Sequence, residues 1–201
     1  MITVIDYGAG NLKSVEKAIK FIGCDCEITN DVNKIENADK LILPGVGSFG
    51  AAMEKLKATG IDKSIKNAVQ KEIPLLGICL GLQLLFDYSE EGSCEGLGIL
   101  KGKIVKIPDK GLKVPQIGWN TLSISGGDIF KGVDDGSYVY FVHSYYLDAD
   151  DKSIVTATVD YATTLDVAVQ CGNVHATQFH PEKSGEVGLK ILENFAKGRT
   201  L

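Results

Sequence analysis

One cysteine stands between two glycines at the point where an apolar run gives way to a helical pattern. Residues 73–78 are mostly apolar, Cys79 follows them, and Gly77 and Gly81 flank it. This G-x-C-x-G spacing is typical of a nucleophile on a sharp strand-to-helix turn, because residues without a Cβ permit the strained backbone. The N–H groups of a helix that begins near residue 80 would stabilise negative charge on the sulfur, and the thiolate is the reactive form. Taken alone, the motif fits a buried core cysteine equally well.

A cysteine nucleophile needs a base, and one histidine of the chain is closely followed by a carboxylate. Of the three histidines, His180 opens the tripeptide His-Pro-Glu directly after a strand-like segment. His180 can take a proton and return it to a leaving group, and Glu182 can orient the imidazole. In isolation, such a tripeptide is more often a strand end beside a solvated carboxylate. We assign no chemistry to His175 and expect His143 to be structural or pocket-lining.

A third candidate element is the turn Pro-Gly-Val-Gly at residues 44–47, which follows the apolar residues 41–43. Two glycines two positions apart let main-chain N–H groups turn toward a ligand, as an oxyanion hole requires. The signal is weak alone, because Gly-rich turns between strands and helices are common in α/β proteins. The turn is too short for a dinucleotide or phosphate loop and has no G-K-[ST], so we expect neither here.

The alternation of apolar patterns predicts the scaffold that positions these three turns. In the first ninety residues, predicted strands at 2–5, 26–29 and 41–43 alternate with helical spacing at 12–22, 49–58 and 61–69. This predicts a doubly wound, mostly parallel sheet flanked by helices, with ligands at the carboxyl ends of the strands. From residue 96 onward, short strands predict antiparallel additions to the sheet. They are predicted at 103–107, 121–124, 138–142, 154–159 and 167–170, before a closing helix at 184–196. We interpret Gly118-Trp119-Asn120 as a turn.

The length of the chain predicts one domain over residues 1–201. A chain of 201 residues buries roughly 70% of its unfolded surface. Its hydrophobic content of 44% and charged content of 23% are ordinary. A net charge of −5 argues against a nucleic-acid or anionic-membrane partner, and no segment resembles a membrane span or signal peptide. Five cysteines without C-x-x-C spacing predict neither disulfides nor a metal site, and favour the cytoplasm.

The motifs, taken in order, resemble those of the class I glutamine amidotransferases. The order is Pro-Gly-x-Gly, then G-x-C-x-G-x-Q, then His-Ser-Tyr, then His-Pro-Glu, and the resemblance covers nearly the whole chain. Within this family, the segments 5–12, 44–50, 116–120 and 140–145 are most similar to the glutaminase subunits of imidazole glycerol phosphate synthases. Val46 departs from the family, because many relatives carry a smaller or more flexible residue at that position.

The resemblance implies a glutaminase that works without a metal or cofactor. Cys79 would attack the side-chain carboxamide of L-glutamine and form a glutamyl thioester, while His180 would protonate the departing nitrogen. Glu182 would complete the catalytic triad. The resemblance also implies the remaining site residues: Val46, Gly47 and Leu80 at the oxyanion hole; Gln83, Ser144 and Tyr145 on the substrate; and Asn11, Trp119 and Lys183 at a partner interface.

The implied partner is a (β/α)8-barrel cyclase in a heterodimer. It would use the ammonia to make imidazole glycerol phosphate and aminoimidazole carboxamide ribotide in histidine biosynthesis.

Because β-branched Val46 resists backbone rotation, we expect the isolated chain to rest with an incomplete oxyanion hole. The alternatives are an amidotransferase subunit for anthranilate, guanylate or pyridoxal phosphate synthesis, a free-standing γ-glutamyl cysteine hydrolase, and a binding module without activity. The last is disfavoured because all three triad positions are filled.

Overall fold

The computed structural model describes residues 1–8 and 10–198, which form fourteen strands and six α-helices. The strands are β1 (Ile2–Ile5), β2 (Cys26–Thr29), β3 (Lys40–Leu43), β4 (Leu75–Ile78), β5 (Tyr88–Ser89), β6 (Cys94–Glu95), β7 (Gly102–Lys106), β8 (Gln116–Thr121), β9 (Ser123–Ile124), β10 (Tyr138–His143), β11 (Tyr145–Ala149), β12 (Val155–Tyr161), β13 (Thr163–Cys171) and β14 (Val174–Thr177). The α-helices are α1 (Leu12–Phe21), α2 (Val32–Glu36), α3 (Phe49–Thr59), α4 (Ile61–Gln70), α5 (Leu80–Leu84) and α6 (Gly185–Lys197).

Five parallel strands form one half of a large mixed sheet, in the order β2-β1-β3-β4-β14. The sheet continues through β13, β11, β7, β5 and β6, and β12 joins β13 and β9. Antiparallel pairing begins where β13 meets β14. Because β3, β4 and β14 are adjacent and parallel, the segments that follow them all leave the same edge of the sheet.

Helices cover both faces of the sheet because the strand residues alternate between two buried clusters. On β3, Leu41 and Leu43 pack with α3 and α4, whereas Ile42 packs with α1, α6 and β10. The strands β8 and β10 form a separate two-stranded antiparallel sheet that covers the second face near α6. This layering confirms the predicted α/β class with a mixed sheet and flanking helices.

Several predicted boundaries agree with the structure and others do not. The strands at 2–5 and 26–29 and the helices at 49–58 and 61–69 lie within a residue or two of their predicted bounds. Residues 116–120, interpreted as containing a Gly-Trp-Asn turn, instead belong to strand β8, because each pairs with β10. The predicted strand 121–124 is broken at Leu122. The single domain over 1–201 stays a prediction, and residues 9 and 199–201 lie outside the described part.

Within residues 1–8 and 10–198, no helix combines the length and the hydrophobicity needed to cross a bilayer.

Candidate active site

The turn that carries the predicted nucleophile is built by close backbone approach, as the two glycines suggested. Cys79 connects β4 to α5 with φ 55° and ψ −108°, a strained conformation for a residue with a side chain. A side chain on Gly81 would overlap the carbonyl of Leu43, and a Cβ on Gly77 would lie 2.9 Å from the main chain of Gly81. A larger residue at position 81 would therefore force the turn away from the end of β3, and one at position 77 would force α5 away from β4.

The helix behind the cysteine is short. Helix α5 ends at Leu84 after five residues, so its dipole can contribute little to the charge on the sulfur. Cys79 is only 7% exposed, and its main-chain N–H donates to the carbonyl of Thr177 at 2.7 Å. The bond fixes the turn against the end of β14, which leads directly to the histidine.

His180 and Glu182 form a buried pair next to this turn. The 3-10 turn Pro181–Lys183 folds Glu182 back, so that His180 Nδ1 lies 2.7 Å from Glu182 Oε1. The side chains of His180 and Glu182 are 1% and 0% exposed. Asn11 Nδ2 donates a hydrogen bond to the same carboxylate oxygen, while Oε2 has no partner. Glu182 therefore fixes the ring through Nδ1 and leaves Nε2 for chemistry.

The surroundings of His180 favour its charged form. Burial lowers the pKa of His180, but the interactions with Cys79 and Glu182 outweigh burial and raise that pKa to about 9. The Nε2 atom has no hydrogen-bond partner and is therefore available for proton transfer at the cavity. A histidine that holds its proton at neutral pH can deliver it to a leaving group.

A chain of side-chain amides reaches the sulfur from its other side. Gln83 Nε2 lies 3.1 Å from the carbonyl oxygen of Tyr145 and 2.9 Å from Gln178 Oε1. Gln178 Nε2 lies 3.7 Å from Cys79 Sγ, and Gln178 is fully buried. Gln178 was not among the predicted site residues. The spacing of two residues to His180 was an available signal, because alternate residues of an extended segment share one side.

The other two histidines are buried and neutral. Burial lowers the pKa of His143 to about 4, with a smaller contribution from the positive charge of nearby His180, while a hydrogen bond to the Tyr145 carbonyl acts in the opposite direction. His143 Nδ1 lies 2.8 Å from that carbonyl and Nε2 lies 2.9 Å from the Gln116 carboxamide. His175 lies in the middle of β14 against Phe195, and burial lowers its pKa to about 4. His143 therefore holds the pocket wall, and neither residue can replace His180 as a proton donor at neutral pH.

A cavity of about 460 Å³ opens onto Cys79 and His180, a size that suits a small metabolite. It contains a carboxylate that sequence reasoning missed: Glu91 lines it and accepts a hydrogen bond from the Phe49 main-chain N–H at 2.9 Å. Among the described residues, no cluster of His, Cys, Asp or Glu is arranged to hold a metal ion. The cavity brings together nine predicted site residues: Cys79, His180, Val46, Gly47, Leu80, Gln83, Ser144, Tyr145 and Lys183.

The turn predicted to form the oxyanion hole packs tightly at its first glycine. A side chain on Gly45 would overlap the hydroxyl of Tyr7 and would lie 2.9 Å from the Leu80 Cβ. That hydroxyl is buried without a partner, and burial, with a smaller contribution from Cys79, raises the pKa of Tyr7. Val46 is 39% exposed, and its Cγ2 lies 3.1 Å from where a Gly10 Cβ would stand. The turn is thus fixed at Gly45 and open at Val46.

Comparison with known families decides what this arrangement is. Residues 3–198 match the family described as glutamine amidotransferase class-I. The chain belongs to the class I glutamine amidotransferases. The "Imidazole glycerol phosphate synthase subunit HisH" of Caldanaerobacter subterraneus subsp. tengcongensis is 51% identical over 199 residues, covering 98% of each protein. The protein of the same name from Geobacillus sp. (strain WCH70) is 50% identical over 203 residues, covering 98% of this chain and 96% of its own.

Solved structures of more distant proteins share the amidotransferase fold. A structure titled as PurLQS from Thermotoga maritima has a TM-score of 0.76 at 21% identity, covering 98% of this chain and 97% of that one. A glutamine amidotransferase from the same organism has a TM-score of 0.66 at 19% identity, covering 98% of this chain and 81% of that one. At such identities the likeness shows the fold alone.

The three residues predicted at a partner interface of this amidotransferase have different surroundings. Trp119 is 56% exposed on β8, with its ring centroid 6.1 Å from that of Tyr140. Lys183 lies at the cavity, with Nζ 6.0 Å from the same Tyr140 ring. Asn11 is partly buried and bonded to Glu182, so it contacts the triad whatever else it does. The interface role of all three stays a prediction.

Proposed function

We propose that this chain is the glutaminase subunit of an imidazole glycerol phosphate synthase, which hydrolyses L-glutamine to glutamate and ammonia. The single observation that carries the activity is that Cys79 and His180 line one cavity, with the buried Glu182 carboxylate 2.7 Å from His180 Nδ1. The relatives at about half identity over nearly the full length share the synthase subunit name, which favours this synthase over the others of the family. All five cysteines are free, which suits a thiolate enzyme of the cytoplasm.

In the first half of the reaction, the Cys79 sulfur attacks the side-chain carbonyl carbon of glutamine. The C–S bond forms, the carbonyl oxygen takes the negative charge, and the C–N bond then breaks. The proton on His180 Nε2 passes to the departing nitrogen, which leaves as ammonia. Glu182 stabilises the imidazolium until that transfer and keeps the ring in the tautomer that presents Nε2.

In the second half, water hydrolyses the glutamyl thioester. Neutral His180 takes a proton from the water at Nε2, the hydroxyl attacks the thioester carbon, and the C–S bond breaks. The sulfur leaves as thiolate beside the newly formed imidazolium, so the ion pair that started the cycle is restored. The raised pKa of His180, about 9, suits its role as the acid of the first half, because the proton is held between turnovers.

The substrate meets polar groups on each side of the sulfur. Main-chain N–H groups of Leu80 and of the Val46-Gly47 peptide would hold the oxyanion, each donor being worth about 3 kcal/mol in such sites. Both amide hydrogens of Gln83 are already used, so only its oxygen remains to accept a hydrogen bond from the substrate. The Glu91 carboxylate suits the α-ammonium group of glutamine, beside the main chain of Ser144 and Tyr145.

The partner would be a (β/α)8-barrel cyclase that consumes the ammonia. Free ammonia is mostly protonated at neutral pH, so a direct transfer between the two proteins preserves its reactivity. Ile117, Trp119 and Tyr138 are 60%, 56% and 61% exposed, and all three lie on the β8–β10 sheet. Exposed large apolar side chains grouped on one element are typical of an interface, and Trp is enriched at interface hot spots.

The proposal is tested by steady-state hydrolysis of glutamine with the chain alone, with the cyclase, and with the cyclase and its substrate analogue. The expected result is a low rate alone and an increase with each addition. Equal rates in all three would favour the free-standing hydrolase. Cys79→Ala should abolish hydrolysis while the complex still uses added ammonium. Activation by a different synthase, and not by this cyclase, would favour another member of the family.

A further inference from the structure

The donors and acceptors near Cys79 determine how the side-chain amides of Gln83 and Gln178 are oriented. The carbonyl oxygen of Tyr145 can only accept, so the Gln83 atom 3.1 Å away must be nitrogen. That nitrogen also lies 2.9 Å from one end of the Gln178 carboxamide, which must then be the oxygen. The other end of Gln178, 3.7 Å from Cys79 Sγ, is therefore its NH2 group. The sulfur faces a donor.

We propose that Gln178 is a further catalytic residue, whose side-chain NH2 donates a hydrogen bond to the Cys79 sulfur and stabilises it as the thiolate. The inference rests on the proposed function for its meaning, since it assigns a role in the same thioester chemistry. His180 approaches the sulfur as the proton carrier, and Gln178 supplies a donor that never transfers its proton. The carboxamides of Gln83 and Gln178 connect the Tyr145 carbonyl to the Cys79 sulfur. We call these two carboxamides the amide relay.

Burial makes this donor more than a packing group. Gln178 is fully buried, and an apolar side chain of similar size would fill the same space without needing partners. Both ends of its carboxamide are instead used, one by Gln83 and one by the sulfur. A hydrogen bond to a charged acceptor is stronger than one to a neutral acceptor, so the contact favours the thiolate over the thiol or thioester. The same preference assists departure of the sulfur when the thioester is hydrolysed.

The role predicts a pH signature that a packing role does not. Losing one hydrogen bond to a charged acceptor should lower the thiolate fraction about tenfold wherever the thiol predominates. The less stabilised thiolate is more nucleophilic, and with a Brønsted slope near 0.4–0.5 that gain is about threefold. Reaction of the sulfur should thus become about threefold slower at low pH and about threefold faster at high pH. The two rate profiles should cross.

The experiment measures alkylation of Cys79 by iodoacetamide from pH 4 to pH 10, read on the peptide that contains it by mass spectrometry. This separates Cys79 from the other four cysteines and needs neither glutamine nor the cyclase. The variants are Gln178→Met, which removes the donor, and Gln83→Met, which leaves the Gln178 amide free to rotate. The control is Gln170→Met, because Gln170 lies on β13 and bonds to Asp128, away from the sulfur.

Gln178→Met and Gln83→Met should each give the crossed rate profile. The double variant should show the same alkylation rates as Gln178→Met, because that single change already removes the donor to the sulfur. Gln170→Met should match the unaltered chain. A rate lowered by the same factor at every pH, or a Gln83→Met profile equal to the unaltered one, would overturn the proposal. If Gln178→Met does not fold, Gln83→Met decides alone. Loss of the proposed glutaminase activity is a separate result: a chain that hydrolyses no glutamine with the cyclase could still show the crossed profile.

Discussion

Replacing Glu182 with Gln tests how the triad is oriented. The Glu182 oxygen next to His180 accepts two hydrogen bonds, one from His180 Nδ1 and one from Asn11 Nδ2. Asn11 Nδ2 can only donate, so in Glu182→Gln the amide oxygen should stay at this position and the amide nitrogen should take the other. His180 then still donates through Nδ1 and keeps Nε2 toward the cavity. The variant should lose a charge but keep the tautomer.

The size of the loss follows from that difference. A hydrogen bond to a charged acceptor contributes about 1.5–3 kcal/mol and a neutral one about 0.5–1.5 kcal/mol, so losing the charge costs about 1.25 kcal/mol, which is nearly tenfold. A reversed tautomer in serine-protease triads costs about ten-thousandfold. We therefore expect Glu182→Gln to reduce glutamine turnover about tenfold. The pKa of His180, about 9, should fall by about one unit, and the alkaline decline of activity should begin correspondingly lower.

The assay measures glutamate production with saturating cyclase from pH 6 to pH 10. Asn11→Ala is expected to cost little alone, because Glu182 has only acceptors to present. Combined with Glu182→Gln, Asn11→Ala should lower the rate of glutamate production a further hundredfold or more. Without Asn11, the amide introduced at position 182 can rotate and present its NH2 group to His180 Nδ1. A Glu182→Gln variant as inactive as His180→Ala, or a double variant no worse than Glu182→Gln, would refute this account of the orientation. Binding of the cyclase to Asn11→Ala, measured separately, controls for an interface effect.

Three further predictions concern other parts of the molecule. Val46→Gly should raise the rate of glutamine hydrolysis without the cyclase, because glycine permits the peptide rotation that the β-branched side chain resists; an unchanged rate would place the block elsewhere. The free energy of unfolding should fall as the pH drops from 6.5 to 4, since unfolded His143 and His175 take up protons that the folded chain refuses. The slope should reach about 2.7 kcal/mol per pH unit, and His175→Gln should halve it in denaturant titrations. Tyr7→Phe should raise the free energy of unfolding by about 1 kcal/mol, because the buried hydroxyl has no partner; destabilisation would mean that it has one.

The sequence predicted the parts of the site that depend on backbone constraint. The main chain at Gly81 lies against Leu43, where no residue with a side chain fits. The glycine at this position therefore predicts the close backbone approach beside Cys79. The strands β3 and β4 could be inferred from the apolar patterns as members of a parallel sheet. The parallel β14 was not predicted, because the strands after residue 96 were expected to be antiparallel. The shared edge of the three strands brings the turns together. Local rules of this kind act within a few residues, which is why they can be seen in one sequence.

The residues that were missed act through partners distant in the chain. Glu91 is 42 residues from Phe49, whose N–H it binds. Asn11 was predicted only as an interface residue, and its hydrogen bond to Glu182, 171 residues away, was not predicted. Gln178 is 99 residues from Cys79. A polar residue in a strand-like segment does not reveal whether it faces water or a buried acceptor, since both give the same alternation. Only the tertiary structure assigns the partner.

The wrong interpretation of residues 116–120 has the same physical origin. Gly118-Trp119-Asn120 has the composition of a turn, with Gly118 at φ 135°, but six residues of β8 pair with β10 in unbroken register. Pairing satisfies the main-chain groups that a turn would leave to water, and it therefore overrides local preference. It also places Gln116 opposite His143 at the cavity wall, while Ile117 and Trp119 of the same strand stay exposed. Strand β8 thus connects the exposed apolar surface to His143, whose imidazole is bonded to the Tyr145 carbonyl. A turn at residues 116–120 would not provide this connection.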